Sequence, residues 1–271
     1  MEEEKFVLNP FVENVISALS NESRLLILHK LKEKSEKISS LAKALGLNIQ
    51  DTHRNVNRMI EAKLLEKDLE GYLSLTPLGK MVTILFPSFE FVIKHIEYFH
   101  DHSLDELSEK FLQRMGALYN CELVNGVVIV LERWKELINQ AEDYLKVVTT
   151  QAPLESVELA FQKANKGLNV KLVLGENTIF PERYTELLRQ YNIEKLSVNG
   201  IFETKIIKRV NCYLVFSEKE ASLSLSRSNG DVDINQTFFG KDPLFLEWCN
   251  DLFNEIWESG KPSNPYLGQK F

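Results

Sequence analysis

The order in which hydrophobic periods and turn residues succeed one another between residues 10 and 80 leaves this chain few folds to adopt. Phe11, Val12, Val15, Ile16 and Leu19 recur at helical spacing. After Asn21, a natural cap, a second helix from Ser23 turns Leu25, Leu26, Leu28 and Leu31 inward. Ser39 or Ser40 caps a short helix, Leu41 to Leu45, which Gly46 closes before a new start near Asn48 to Asp51. The helix that follows runs to about Ala62 with Val56, Met59 and Ile60 facing in, leaving Gln50, Asp51, His53, Arg54, Asn57 and Arg58 outward. Two short strands, Leu64 to Lys67 and Tyr72 to Leu75, flank a turn at Asp68 to Gly71, and Thr76-Pro77-Leu78-Gly79 opens another helix. Helix, tight turn, helix and hairpin in this order make a winged helix.

A helix that shows amide, imidazole and guanidinium groups on one side can enter the major groove, where Arg pairs with guanine and Asn or Gln with adenine. Asp51 at its entrance would accept from a cytosine amine or simply favour the helix amino end. The plain alternative is a solvated helix face; the turn, the wing and the following helix weigh against it. The segments ALSNESRLLILHKLKE, SSLAKALGL, DTHRNVNRMIEAKLLEK and GYLSLTPLGK resemble the winged helix-turn-helix of archaeal regulators related to the arsenic-repressor family, over residues 10 to 80. The resemblance implies double-stranded DNA as partner. On this reading Gln50 and Arg54 read bases, with Asp51, His53, Asn57 and Ser39 beside them, while Arg58, Lys63 and Lys67 mainly touch phosphate.

Charge is divided in a way that suits such a module. Residues 1 to 85 hold 12 basic and 12 acidic side chains, and the remainder holds 20 basic and 27 acidic, so the whole net charge of -7 sits in the second part. A neutral reader beside an acidic domain is compatible with DNA, because phosphate contacts depend on local charge. Cys121, Cys212 and Cys249 are too few and too widely spaced for a disulfide framework or a thiolate zinc site, and read as buried free thiols. MEEEK opens acidic where a secretory leader is basic, and no apolar run spans a bilayer, so a cytoplasmic protein without membrane contact is expected.

Residues 81 to 120 read as a helical linker and dimerisation segment. The stretch MVTILFPSFEFVIKHIEYFH is too apolar for a loose tether. Packing under the carboxy-terminal domain and pairing with its copy in a homodimer are both expected, and Pro87 should kink or divide the helix. His95, His100, Asp101 and His102 are poorly spaced for a metal, so structural or surface histidines are expected and no metal or cofactor.

Residues 121 to 259 alternate between helical and strand periods, before a tail at 260–271. Helices are expected over Val128 to Asp143, Glu155 to Asn165, Glu182 to Tyr191 and Pro243 to Glu258. Strands are expected near Tyr144 to Thr149, Val170 to Leu174, Ile193 to Val198, Thr204 to Lys208, Asn211 to Phe216, Ala221 to Leu225 and Gln236 to Phe239. This implies an α+β chain whose second domain is a mixed α/β sheet with helices on its faces. SFEFVIKHIEYF, RMGALYNCELV, AEDYLKVVTT, ANKGLNVKLVLGE, NCYLVFSEKEASLSL and DPLFLEWCNDLFNEIWESG resemble the effector domain of archaeal methanogenesis and filament-switch regulators. The helix-strand-KG-strand core is also similar to the phospholipase-D-like fold of archaeal sugar-responsive regulators.

Phospholipase D chemistry needs paired histidines, and no histidine follows His102. GxSxG, GxxxxGK[ST], HExxH and GxGxxG are absent too, so the domain is expected to sense rather than catalyse. Its ligand crevice should lie at the carboxyl ends of the strands, where Thr149, Thr150, Gln151, Gly175, Glu176, Asn177, Lys208, Arg209 and Asn211 gather, with hydroxyls from Ser224 and Ser226. From these, Thr150, Gln151, Glu176, Arg209 and Ser226 are taken as candidate contacts to a small-molecule effector, although any one of them could be an ordinary loop residue. The expected function is a DNA-binding transcriptional regulator modulated through a non-catalytic domain. The alternative is a winged-helix interaction scaffold whose second domain docks a protein.

Overall fold

The computed structural model describes residues 9–151 and 153–263. The chain divides into two compact units between Pro87 and Ser88, so residues 81–120 form no unit of their own.

The first unit opens with α1 (Pro10–Leu19) and α2 (Glu22–Leu31), followed by β1 (Glu36–Lys37), α3 (Ile38–Leu45) and α4 (Ile49–Glu61). The wing is β2 (Leu65–Lys67) and β3 (Tyr72–Leu75), and α5 (Pro77–Lys94) follows it. Its sheet has the order β1-β3-β2, all antiparallel. Strand β1 is too short for any periodic signal, and it corrects the placing of a cap at Ser39 or Ser40. The chain passes from the β1 pairing directly into α3 with Lys37 at the cap position, which leaves both serines inside the first turn. Gly46 ends α3 at φ +64, where glycine carries no Cβ penalty, and Leu47 N–H closes the turn on Ala42 O at 2.9 Å. The core is Ile27, Leu28, Leu31, Leu41, Val56, Met59, Leu64 and Leu73 with their neighbours. Ile27, not Leu26, is the inward residue of α2, and Leu26 is exposed. In α1 only Ala18 is buried, while Phe11, Val12 and Ile16 remain exposed against expectation. At Gly79 a Cβ would lie 2.1 Å from Leu64 O, so the entry to α5 packs on the backbone of the wing and admits only glycine.

Helix α5 runs unbroken through Pro87, and the interruption falls at His95 before α6 (Ile96–Asp101). Expectation had placed the break at the proline. Phe91 and Tyr98 pack into the core of the second unit, but Phe89, Ile93 and Ile96 stay 66%, 65% and 60% exposed, so the segment is packed on one side only.

The second unit continues with α7 (Glu109–Gln113), β4 (Glu122–Asn125), α8 (Val127–Gln140), β5 (Tyr144–Gln151), α9 (Leu154–Asn165), β6 (Asn169–Ile179), α10 (Tyr184–Gln190), α11 (Ile193–Val198) and β7 (Phe202–Ile207). Then come β8 (Cys212–Ser217), β9 (Ala221–Leu225), β10 (Gln236–Gly240), α12 (Pro243–Ser259) and β11 (Lys261–Pro262). The sheet order is β11-β7-β6-β5-β8-β9-β10-β4. Strands β5, β6 and β7 are parallel and all other pairs antiparallel, which is the mixed sheet the helix and strand alternation implies. On one face Trp134 of α8 donates from Nε1 to Ser222 Oγ at 2.9 Å, and Phe161 of α9 meets Phe202 at 5.5 Å. On the other, Phe253 of α12 meets Phe216 at 5.8 Å.

Residues 193–198, expected as a strand, form α11: Asn192 turns the backbone at φ +48 and Ile193 anchors a helix instead. A short apolar run cannot be told from a buried helix turn by its period. Strand β6 extends past Leu174 to Ile179, because after a register shift Gln151 pairs with Ile179; Gly175 to Asn177 are thus strand and not loop. Strand β11 occupies the described start of the expected tail, and the rest of that tail, like MEEEK, lies outside the described residues.

Candidate DNA-reading face and effector crevice

Asn48 starts α4: its Oδ1 accepts from Gln50 N at 2.8 Å, and Thr52 Oγ1 donates to Asn48 O at 2.8 Å. Thr52, Val56 and Met59 are buried, so the helix is locked in rotation about its axis. That locking places Gln50, Asp51, His53, Arg54, Asn57 and Arg58 together on the exposed side. Arg54 pairs with Asp51 one turn back, which holds the guanidinium near the amino end of the helix. Arg58 Nη2 reaches Ser17 Oγ of α1 at 3.2 Å, and Arg24 joins α1 to α4 through Ala18 O and Asn55 Oδ1. Ser39, Lys63 and Lys67 are exposed on α3, after α4 and on β2. The wing turn is fixed by Asp68 Oδ1, which accepts from Glu70 N and Tyr72 N. Its tip carries two acids around a fully exposed Leu69, and Lys67 is the one basic side chain within residues 65–75.

The carboxyl ends of β5, β6 and β7 border two neighbouring hollows of about 700 and 810 Å³ that share Lys208 and Arg209. Glu176 lines the first and Thr150, Gln151 and Asn177 the second. Glu106 fixes the middle: Asn211 Nδ2 donates to its Oε2 at 3.0 Å, and Arg209 Nη1 lies 3.6 Å from its Oε1. Gly230, at φ +89, makes room for that arginine, since a Cβ there would fall 2.2 Å from Arg209 Nη2. Across the second hollow Thr150 Oγ1 shares a hydrogen bond with Tyr213 OH. Ser224 and Ser226 line neither hollow. Ser224 Oγ is spent on Thr237, and Ser226 is buried where its carbonyl accepts from Ser103 N. Sequence reasoning missed Tyr213, Asn229 and Asp231; the Ser228-Asn229-Gly230-Asp231 turn signal was there to find the last two.

Cys212 borders the first hollow, and burial pushes its thiol up to about 12, so it stays protonated at neutral pH and makes a poor nucleophile. Cys121 and Cys249 are likewise free and buried. His102 is an internal tie: Nδ1 lies 2.7 Å from Tyr98 O, Nε2 3.3 Å from Asp233 Oδ2, and its ring stacks on Tyr98 at 3.7 Å. Among the described residues no three metal-ligating side chains cluster, and no helix is long and apolar enough to cross a membrane.

The first unit has the winged-helix fold that DNA-binding regulators use. In the second unit, residues 129–259 match the family described as methanogenesis regulatory protein FilR1, middle domain. No curated protein matches the chain. Among solved structures it is similar to TrmBL2, described as an archaeal chromatin protein with a novel mode of DNA binding, at 13% identity over 93% of this chain and 99% of that one, with a TM-score of 0.42. The homodimeric winged helix-turn-helix domain of Mb0332 from Mycobacterium bovis is 30% identical over 35% of this chain and 89% of its own, with a TM-score of 0.30. Nuc of Salmonella typhimurium, a phospholipase D family member, is 9% identical over 54% of this chain and 99% of its own, with a TM-score of 0.37. All three superpose too loosely to carry residue roles across.

Proposed function

We propose that this protein is a transcriptional regulator that binds operator DNA as a homodimer through α4, and that a small polar effector held at the Lys208–Arg209 crevice sets its DNA affinity without any catalytic step. The observation that carries the reading is the rotation of α4. With Thr52, Val56 and Met59 buried, the exposed side presents the amides of Gln50 and Asn57, the imidazole of His53 and the guanidinium groups of Arg54 and Arg58, with the Asp51 carboxylate paired to Arg54, the set that reads base edges. Gln50 and Arg54 lie nearest the entering end and read bases, with Asp51, His53, Asn57 and Ser39 beside them; Arg58, Lys63 and Lys67 hold the backbone.

Dimerisation is supported by exposed apolar residues at helical spacing. Helix α1 shows Phe11, Val12 and Ile16, and α5 shows Met81, Ile84 and Leu85 before the division of the chain and Phe89 and Ile93 after it. So much apolar surface on a monomer marks a contact, and a two-fold reader suits half-sites one helical turn apart. At the crevice, Thr150, Gln151, Asn177, Tyr213 and Arg209 offer hydroxyl, amide and guanidinium groups to a polar ligand, with Glu176 on the other side of Arg209. The absence of any histidine after His102 and the protonated Cys212 thiol support a sensor over an enzyme.

The experiment is fluorescence anisotropy of the full chain on its own upstream DNA, with small metabolites from a cell extract added or withheld. The reading expects salt-dependent, sequence-selective binding whose affinity the metabolites shift, and loss of that shift in Arg209→Ala with unliganded affinity retained. Binding that is absent at every salt concentration would leave a protein-docking scaffold in its place.

A further inference from the structure

The sheet face away from α12 holds a hollow whose chemistry is the opposite of the crevice. Val147 and Leu172 are paired across β5 and β6, near the middle of the sheet. Parallel strands covered by helices bury nearly all their side chains, yet these two are only half-buried, while Leu145, Thr149, Val170 and Leu174 around them are buried. A slot of about 70 Å³ lies over them, walled by Trp134, Phe161, Phe180 and Tyr184. Its mouth is marked by the exposed Gln151 and half-buried Pro153.

The lining carries few polar groups, and those of Trp134 and Thr149 are already hydrogen-bonded. Ser156 Oγ, in the first turn of α9, is buried and makes no hydrogen bond. Thr149 Oγ1, the neighbouring hydroxyl, is already committed to Gln151 O at 2.7 Å. A buried hydroxyl without a partner is costly. Water is a poor remedy, because an ordered water needs two to four polar neighbours and an apolar hollow otherwise stays dry. A molecule that is apolar along its length and carries one hydrogen-bonding atom satisfies both the walls and the serine.

We infer that this slot binds a small amphipathic molecule, an apolar chain of a few carbons with one hydroxyl or carbonyl that meets Ser156. Because the slot opens at Gln151, a longer chain can continue outward from it. The site shares only Gln151, at its mouth, with the polar crevice and stands whether or not that crevice takes an effector.

The test is methyl NMR of the full chain, labelled at Ile, Leu and Val, titrated with 1-pentanol and with 1-chloropentane, which has the same length and no hydroxyl. Saturable shifts are expected at Leu145, Val147, Leu172 and Val215, with the chloride binding about tenfold more weakly, the discrimination one buried hydrogen bond supplies. Ser156→Ala is expected to erase that discrimination while still binding both probes. Leu172→Phe, which fills the slot, is expected to abolish saturable shifts; Ala160→Leu serves the same purpose should the first variant not fold. Shifts that never saturate or that scatter over the molecule overturn the inference. So does a folded, filled variant that binds 1-pentanol like the parent, or a Ser156→Ala protein that still prefers the alcohol.

Discussion

The first unit displays its chemistry on one convex helix, whereas the second gathers its own from separate strand ends into a concavity. In α4 a single stretch of 13 residues supplies both the buried residues that fix its rotation and the side chains that face outward. At the crevice, Thr150, Asn177, Arg209 and Tyr213 come from different strands and connections, and Glu106 from far upstream holds Arg209 and Asn211 in place. A reading helix tolerates loss of one contact by lowering affinity; a crevice assembled this way depends on its supports.

Two glycines sharpen this contrast most. Gly79→Ala forces a Cβ against the Leu64 carbonyl, backbone that cannot yield, and is expected to destabilise the winged helix by about 3 kcal/mol. Thermal unfolding of the full chain should show the loss, with the second unit's transition unmoved. Gly230→Ala meets only the flexible end of Arg209, although its φ of +89 adds some strain, so its cost in stability is expected near 1 kcal/mol. Its larger effect, read by anisotropy, is on the metabolite response of DNA binding, because Arg209 is displaced from Glu106. If both variants unfold alike, the crevice arginine is more rigidly held than its exposure implies.

A second contrast lies in the apolar residues that neither core absorbs. Ile84→Glu and Phe89→Glu together are expected to turn a dimer into a monomer by light scattering at tens of micromolar, since both side chains are more than half exposed. An unchanged mass would move the dimer contact elsewhere.

The smallest effect concerns Glu218. Burial alone would raise this carboxyl, but backbone N–H groups of Glu142, Asp143 and Tyr144 donate to it and hold it below the usual range. A depressed folded pKa stabilises above the unfolded value of about 4.3 and is lost as pH falls through the folded one. Glu218→Gln is therefore expected to cost roughly 0.5 kcal/mol or less at neutral pH, solvent screening having reduced it, and nothing in acid. Denaturant melts at both pH values check the sign.

How much of this was legible in the sequence follows the same division. In the first unit the signals are local: the helix start near Asn48, Gly46 as stop, the Asp68 to Gly71 turn, and the spacing of Val56, Met59 and Ile60, to which packing adds Thr52. The misreadings there, the cap at Ser39 or Ser40 and the inward face of α1, came from β1 and from helix faces that only packing decides. In the second unit helix and strand positions were mostly legible, but Ile193–Val198 was not, because a six-residue apolar run fits either period. Glu106 and Tyr213 gave no signal, since nothing near them in sequence shows which strand end they approach. Thr150, Gln151, Glu176 and Arg209 line the hollows to which the carboxyl ends of the parallel strands point; β9 runs in the same direction as β5, but Ser226 beyond its end is turned inward and buried, which the rule does not foresee.

That α4 reads base edges is tested most directly by selecting preferred sites from random duplex DNA with the full chain and with Arg54→Ala, then measuring both on the selected site across salt concentrations. A two-fold motif is expected for the parent. For Arg54→Ala, a loss of about 1 to 3 kcal/mol confined to that motif is expected, together with relaxed preference at one position in each half-site and a nearly unchanged affinity for unrelated DNA. A folded Arg54→Ala protein that selects the same motif with the same affinity would contradict it.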